Sequence, residues 1–231
     1  TNYTSTRMVF SAAGNLEHDK FVKMAEEAFD GLKKGTEANI EAAHYTGGDF
    51  RKERELEQTH ILLGFDGVNY NDDDFYTASV LSTLLGGGMS SRLFQEIREK
   101  HGLVYSIYSF LSCYSDSGMF GIYAGSSGEE STKVIPLICE EMRKVCDDIT
   151  IREVERTRTQ LKASILMSLE STMSRCEQLA RQIAVFGRPL SIAEVIEKIE
   201  AVDVEAVKKV AQQIVSSTPT VTALGPVSGL E

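Results

Sequence analysis

The protein has 231 residues, of which 42% are hydrophobic and 25% charged, which is ordinary for a globular protein with a sizeable core. The formal net charge of −10 argues against nucleic-acid binding, which requires a basic surface, and favours basic peptides or proteins as partners. No apolar run reaches the roughly 18 residues that span a membrane. Because the chain begins at Thr1 rather than at a methionine, we expect it to be part of a longer protein.

The hydrophobic pattern predicts strands and helices along the whole chain. In chain order, the predicted elements are a strand at 7–13, a helix at 16–31, a polar linker at 33–41, strands at 43–53 and 56–66, a helix that starts at the acidic stretch 71–74 and runs to 85, a helix at 91–100, a hairpin of strands at 103–113 and 117–125, a helical region from 129, one long helix from 150 toward 185, helices at 191–199 and 203–216, and a strand at 219–225. This order indicates an α+β fold, with a mostly antiparallel sheet and helices packed on one face.

Local signals mark where several of these helices begin and end. Thr150 and Glu153 have the spacing of a capping box, and Asp203 is a candidate N-cap for the last helix. Gly102 can take the left-handed conformation that ends a helix. The predicted helix boundaries therefore depend on hydrogen-bonding chemistry as well as on hydrophobic periodicity.

Two segments at opposite ends of the chain resemble each other. Residues 10–16 read FSAAGNL and residues 221–227 read VTALGPV, so each is an apolar segment that ends in a glycine, Gly14 or Gly225. If the likeness reflects a repeat, the chain starts at the end of one repeat unit and stops at the end of the next.

The stretch GGGMSSRLFQEIREKHGLVY at 86–105 raises three interpretations. A phosphate loop requires a strand before the glycines and a lysine after them, and here a helix precedes them and no lysine follows. Alternatively, Gly86, Gly87 and Gly88 end one helix and let the next begin at an angle. Their exposed backbone could also contact an extended peptide, and the sequence leaves these last two interpretations open.

No metal or catalytic centre is visible in the residue pattern. The four histidines lack the four-residue spacing of zinc peptidase motifs, and the four cysteines form no Cys-x-x-Cys pair. We predict reduced, buried thiols in a reducing compartment. By position alone, Arg98 complements the carbonyls at a helix C-terminus and Tyr105 packs in a strand.

The segment SSRLFQEIREKHGLVYSIYS, followed by SDSGMFGIYAG, resembles the C-terminal half of the pitrilysin-type zinc peptidases, and the nearest likeness is to the processing-peptidase branch. SAAGNLEHDKFVKMAEEAF resembles the end of the N-terminal half of the same family. The likeness implies one half of a duplicated two-domain architecture. Residues 1–32 would be the tail of the upstream domain, 33–41 a linker, and 42–231 the C-terminal peptidase-like domain.

In such peptidases zinc is bound by an inverted motif in the N-terminal half, so the resemblance implies zinc in the full-length protein and no metal ligand in this chain. It further implies that Tyr105 stabilises the oxyanion and that Arg98 binds a substrate carbonyl. We add Gly86, Gly87 and Gly88 as predicted substrate contacts.

The resemblance implies a zinc metalloendopeptidase that hydrolyses peptides or precursor presequences, of which this fragment alone is inactive. A non-catalytic partner or respiratory-complex scaffold of the same family is the alternative, and a stand-alone peptide-binding module is a third. We expect basic peptides or unfolded precursors as substrates, no nucleic acid, no membrane span, and either a homo-oligomer or pairing with a family subunit. The expected location is the cytoplasm for a bacterial protein and the mitochondrial matrix for a eukaryotic one.

Overall fold

A computed structural model describes residues 3–35, 41–228 and 230. The chain divides into two compact units. The smaller unit comprises residues 1–41 and 162–195, and the larger unit comprises 42–161 and 196–231.

The described residues contain seven α-helices, one π-helix and five strands. In chain order they are α1 (His18–Phe29), β1 (Gly48–Glu53), β2 (Thr59–Asp66), α2 (Phe75–Gly86), the π-helix (Phe94–Lys100), β3 (Val104–Cys113), β4 (Gly118–Ser126), α3 (Ser131–Lys144), α4 (Ile151–Ser168), α5 (Thr172–Phe186), α6 (Ile192–Glu200), α7 (Val204–Ser216) and β5 (Thr220–Gly225).

The five strands form one sheet in the larger unit, in the order β1-β5-β2-β4-β3. Among the strands of the described residues, β1 and β5 pair in parallel and the other three pairs are antiparallel, and the β3–β4 hairpin closes at Cys113 and Gly118. On β2, the alternating residues Ile61, Leu63 and Phe65 are buried. Helices α2, α3 and α7 contact β3, β4 and β2, respectively. The predicted α+β fold with a mostly antiparallel sheet is confirmed.

The local signals at helix ends also hold in the structure. The Glu153 carboxylate accepts a hydrogen bond from the Thr150 N–H at 2.9 Å, and the Thr150 hydroxyl accepts one from the Glu153 N–H at 3.3 Å, which is a capping box. Asp203 Oδ1 accepts from the Ala206 N–H at 2.8 Å at the start of α7. Gly102, which follows the C-cap residue His101 of the π-helix, has a φ of +64°.

The predicted strand at 7–13 is wrong, because these residues form no strand in the structure. In the smaller unit, the Ser11 hydroxyl donates to the Cys176 carbonyl at 2.9 Å and the Cys176 thiol donates to the Ser11 carbonyl at 3.1 Å. The Phe10 ring lies 4.7 Å from the Phe29 ring. The segment therefore bonds to helix α5 rather than to a neighbouring strand.

The single long helix predicted from 150 toward 185 is two helices, α4 and α5. The chain turns at 169–171, and the Ser171 hydroxyl accepts from the Ser174 N–H to cap α5. The predicted linker at 33–41 lies partly outside the described residues. Assignment of residues 1–32 to an upstream domain stays a prediction.

Candidate functional site

The segment predicted as a helix at 91–100 is mainly a π-helix. The His101 N–H donates to the Glu96 carbonyl, five residues earlier, at 3.2 Å. Leu93 and Ile97 are fully buried. A pattern of buried residues four apart is compatible with either helix type, so the sequence could not reveal the wider turn. Short π-helical turns are frequent at functional sites.

Arg98 projects from this π-helix into solvent. Its guanidinium carbon lies 4.7 Å from the centre of the Phe94 ring, which is a cation–π contact. Its backbone carbonyl accepts from the Gly102 N–H at 3.1 Å. The guanidinium is therefore oriented by a neighbouring ring and remains accessible to a ligand.

Tyr105 lies at the start of β3, with 60% of its surface exposed. The β3–β4 register shifts between Val104 and Ser106, so Tyr105 is the extra residue of a β-bulge. Bulges redirect a side chain away from the regular alternation of a strand. The phenol is thus exposed because of the bulge, which the sequence pattern did not predict.

The three glycines before the π-helix differ in their surroundings. Gly86 is buried, and a Cβ placed there would lie 2.2 Å from the Ser109 nitrogen of β3. Gly87 and Gly88 are exposed, and Gly88 has a φ of +148°. Gly86 thus has a packing role that explains its presence without a peptide, whereas substrate contact at Gly87 and Gly88 stays a prediction.

The segment 86–91, here called the glycine loop, has four successive carbonyls that accept hydrogen bonds from side chains. The bonds are Gln160 Nε2 to Gly87 O at 2.8 Å, Ser91 Oγ to Gly88 O at 2.6 Å, Gln95 Nε2 to Met89 O at 2.6 Å, and an Arg156 guanidinium nitrogen to Ser90 O at 2.9 Å. The sequence analysis did not predict these donors. The one signal for them is a row of polar residues along α4, which does not specify that they bind this loop.

Arg92 links the end of the glycine loop to the start of α4. Its guanidinium binds both carboxylate oxygens of Glu153, at 2.7 and 3.0 Å, and it also pairs with Asp148. Burial alone raises the pKa of the Glu153 carboxyl, but hydrogen bonds from Arg92 and Thr150 outweigh it and lower the pKa to about 2. Glu153 is therefore ionised at neutral pH and keeps Arg92 in place.

The described residues contain no cluster of three or more His, Cys, Asp or Glu side chains that could bind a metal ion. The four cysteines are free, and Cys113 and Cys146 are buried. Burial, with a smaller contribution from Asp72, raises the pKa of Cys113 to about 11. This part of the chain does not fit a zinc centre, and none of its described helices is long and apolar enough to cross a bilayer.

A family model described as the peptidase M16 inactive domain matches residues 1–161. The chain belongs to the peptidase M16 family. The resemblance to a zinc peptidase family, and to its C-terminal half, is confirmed by this match.

Curated relatives of this M16 chain are named uncharacterized zinc proteases. Those of Rickettsia bellii and Bacillus subtilis are 36% and 35% identical over 226 residues, covering 97% of this chain and 55% of each relative. The chain thus spans about half the length of the curated relatives it matches.

Two solved structures share the M16 fold of this chain. A peptidase M16 inactive domain from Pseudomonas fluorescens has a TM-score of 0.79 and 25% identity, covering 94% of this chain and 53% of that one. A chain of complex III2 from Candida albicans has a TM-score of 0.84 and 23% identity, covering 93% and 54%. At this level of identity the second likeness concerns the fold alone.

Proposed function

We propose that this chain is the C-terminal, substrate-binding portion of a zinc metalloendopeptidase that hydrolyses peptides or precursor presequences. The proposal depends on one observation: within an M16 inactive domain, a guanidinium at Arg98 and a phenol at Tyr105 are both held toward solvent by irregular backbone. The names of the relatives support a zinc peptidase as the full-length protein. We expect the fragment alone to be inactive, because its described residues contain no cluster of side chains that could bind the zinc.

Each residue of the pair has a distinct role in the proposal. The Arg98 guanidinium donates hydrogen bonds to a main-chain carbonyl of an extended peptide. The Tyr105 hydroxyl donates to the oxygen that becomes negative when the scissile carbonyl is attacked. Donors that are oriented before the reaction stabilise this charge without reorganisation, and the loss of one typically reduces the rate by about 10²–10³-fold.

Zinc, in this proposal, is bound by residues outside the described part of this chain. The test is the metal content of the purified 231-residue chain and of the full-length protein. We expect stoichiometric zinc only in the full-length protein. Stoichiometric zinc in the 231-residue chain would contradict the proposed division of roles.

The decisive experiment measures peptide hydrolysis by the full-length protein and its variants. Tyr105→Phe removes only the hydroxyl, and Tyr114→Phe is the matched control, since Tyr114 is 61% exposed against 60% for Tyr105. We expect kcat to fall about 10²-fold or more in Tyr105→Phe, KM to rise in Arg98→Ala, and no change in Tyr114→Phe. Undiminished turnover in both site variants would remove the assigned roles.

A non-catalytic scaffold is the second candidate, and it is supported by the fold shared with a chain of complex III2. Absence of hydrolysis by the full-length protein, together with stable copurification of a family subunit, would favour it. The proposed enzyme is a homo-oligomer or pairs with such a subunit, which light scattering would test. Its proposed location is the bacterial cytoplasm, and the four free cysteines support a reducing compartment.

A further inference from the structure

We infer that helix α4 positions Arg98 for substrate binding by holding the glycine loop, an inference that rests on the proposed function. The contacts come from Glu153, Arg156 and Gln160, here called the anchor residues. None of them touches substrate in this proposal, so they are positioning residues rather than catalytic ones.

The anchor residues lie on one face of α4. They are separated by three and four positions, and residues at these spacings are neighbours along a helix surface. Glu153 reaches the loop through Arg92, whereas Arg156 and Gln160 donate directly to the Ser90 and Gly87 carbonyls. One rigid helix therefore binds both ends of the glycine loop.

The glycine loop needs such contacts because its own residues do not restrict it. Glycines lose more conformational freedom on ordering than other residues do, and Gly88 adopts a φ that side-chain-bearing residues rarely take. A Cβ at Gly88 would lie 3.3 Å from Gln160 Nε2, so this amide covers the Gly87–Gly88 backbone as well as binding it. Hydrogen bonds from α4 thus select one of many loop conformations.

Hydrogen bonds connect the glycine loop to the π-helix that carries Arg98. Gln95, in the second position of the π-helix, donates through its side chain to Met89 O at 2.6 Å and through its backbone to Ser91 O at 3.0 Å. A shift of the loop consequently moves the first turn of the π-helix, including Phe94, on which the Arg98 guanidinium lies.

The test uses Gln160→Leu and Arg156→Met in the full-length protein. Arg152→Met is the matched control, because Arg152 is an exposed arginine one turn before Arg156 on α4. Arg156→Lys keeps a charged donor and serves as the conservative rescue. Two quantities are measured: amide hydrogen exchange in residues 86–100, and kcat and KM for peptide hydrolysis.

We expect exchange in residues 86–100 to become about fivefold faster in Gln160→Leu and Arg156→Met, which corresponds to one lost hydrogen bond. We expect kcat/KM to fall about tenfold, mainly through KM, since a small misplacement of a binding group is costly. Arg156→Lys restores part of both losses, and Arg152→Met changes neither.

Because the anchor residues act through Arg98, Gln160→Leu is expected to have little further effect on kcat/KM in an Arg98→Ala background. An equal loss in both backgrounds, unchanged exchange, or faster exchange with unchanged kcat/KM would each overturn the positioning role while the proposed function stands. If the wild-type protein hydrolyses no peptide, the proposed function itself fails and the positioning role fails with it.

Discussion

Substitution of Gly86 by alanine tests whether this glycine serves packing. Gly86 is the last residue of α2 and is buried against β3. An added Cβ would lie 2.2 Å from the Ser109 nitrogen and 2.8 Å from the Tyr108 carbonyl carbon, both of which are backbone atoms. Neither atom can rotate away as the end of a flexible side chain can, so the helix end and the strand must separate.

The expected change in the free energy of unfolding is the sum of two opposing effects. Real Cβ atoms essentially never approach other atoms within 3.0 Å, so α2 and β3 must move apart by about 0.8 Å, and such overpacking typically costs about 1–3 kcal/mol. Alanine is favoured over glycine in a helix interior by about 1 kcal/mol, and at a helix end by less. Because the contact is with backbone, we expect the cost to lie at the upper end and Gly86→Ala to lower the free energy of unfolding by about 2 kcal/mol.

Urea unfolding followed by circular dichroism measures this difference. With an m-value of about 2 kcal/mol/M, the expected loss lowers the midpoint by about 1 M. Gly48→Ala in β1 is the control, because a Cβ there meets no atom within 4 Å, and we expect its midpoint to stay near that of wild type. A Gly86→Ala variant as stable as wild type would refute the packing explanation and return Gly86 to the candidate peptide contacts.

Three further predictions concern the side chains of Glu153, Cys113 and Asp203. Because the pKa of Glu153 falls from 4.5 to about 2 on folding, its stabilisation is complete above pH 4.5 and is lost as the pH falls toward 2. We expect Glu153→Gln to remove about 1–2 kcal/mol of stability at pH 7 after screening, and less at pH 3, in urea titrations at both values. Native Cys113 should react with iodoacetamide at pH 8 on the order of 100-fold more slowly than in the unfolded chain, as measured by mass spectrometry, because its pKa is raised to about 11. Asp203→Ala should cost about 1 kcal/mol in thermal unfolding and Asp203→Asn much less, because the bond to the Ala206 N–H is lost only in the former.

The features that the sequence predicted well depend on residues close together in the chain. The β3–β4 hairpin closes between Cys113 and Gly118, in agreement with the hairpin predicted from strands at 103–113 and 117–125. Thr150 caps α4 with Glu153, three residues away, and Asp203 caps α7 through Ala206. Their hydrogen bonds form within a single turn, so the local sequence contains both partners.

The features that the sequence missed depend on partners that are distant in the chain. Whether the apolar block at 7–13 becomes a strand depends on a neighbouring strand, and Ser11 bonds instead to Cys176, 165 positions later. Gln160 reaches the Gly87 carbonyl across 73 positions. A hydrophobic pattern indicates which side chains are buried. It does not indicate which distant backbone carbonyl a polar side chain will bind.

The likeness between residues 10–16 and 221–227 has both a local part, the glycine conformation, and a part that depends on distant partners, the strand. Gly225 ends β5 with a φ of +132°, whereas Gly14 follows a segment that is not a strand and still has a φ of +135°. The shared glycine therefore marks a shared backbone conformation, one that residues with a Cβ rarely adopt. Before Gly225, Ala223 is fully buried in the sheet, whereas before Gly14, Ala12 and Ala13 are half-buried and Phe10 is exposed. The likeness between the two segments therefore extends to a similar φ at the glycine but not to the secondary structure before it, because among the described residues only the C-terminal segment has neighbouring strands to pair with.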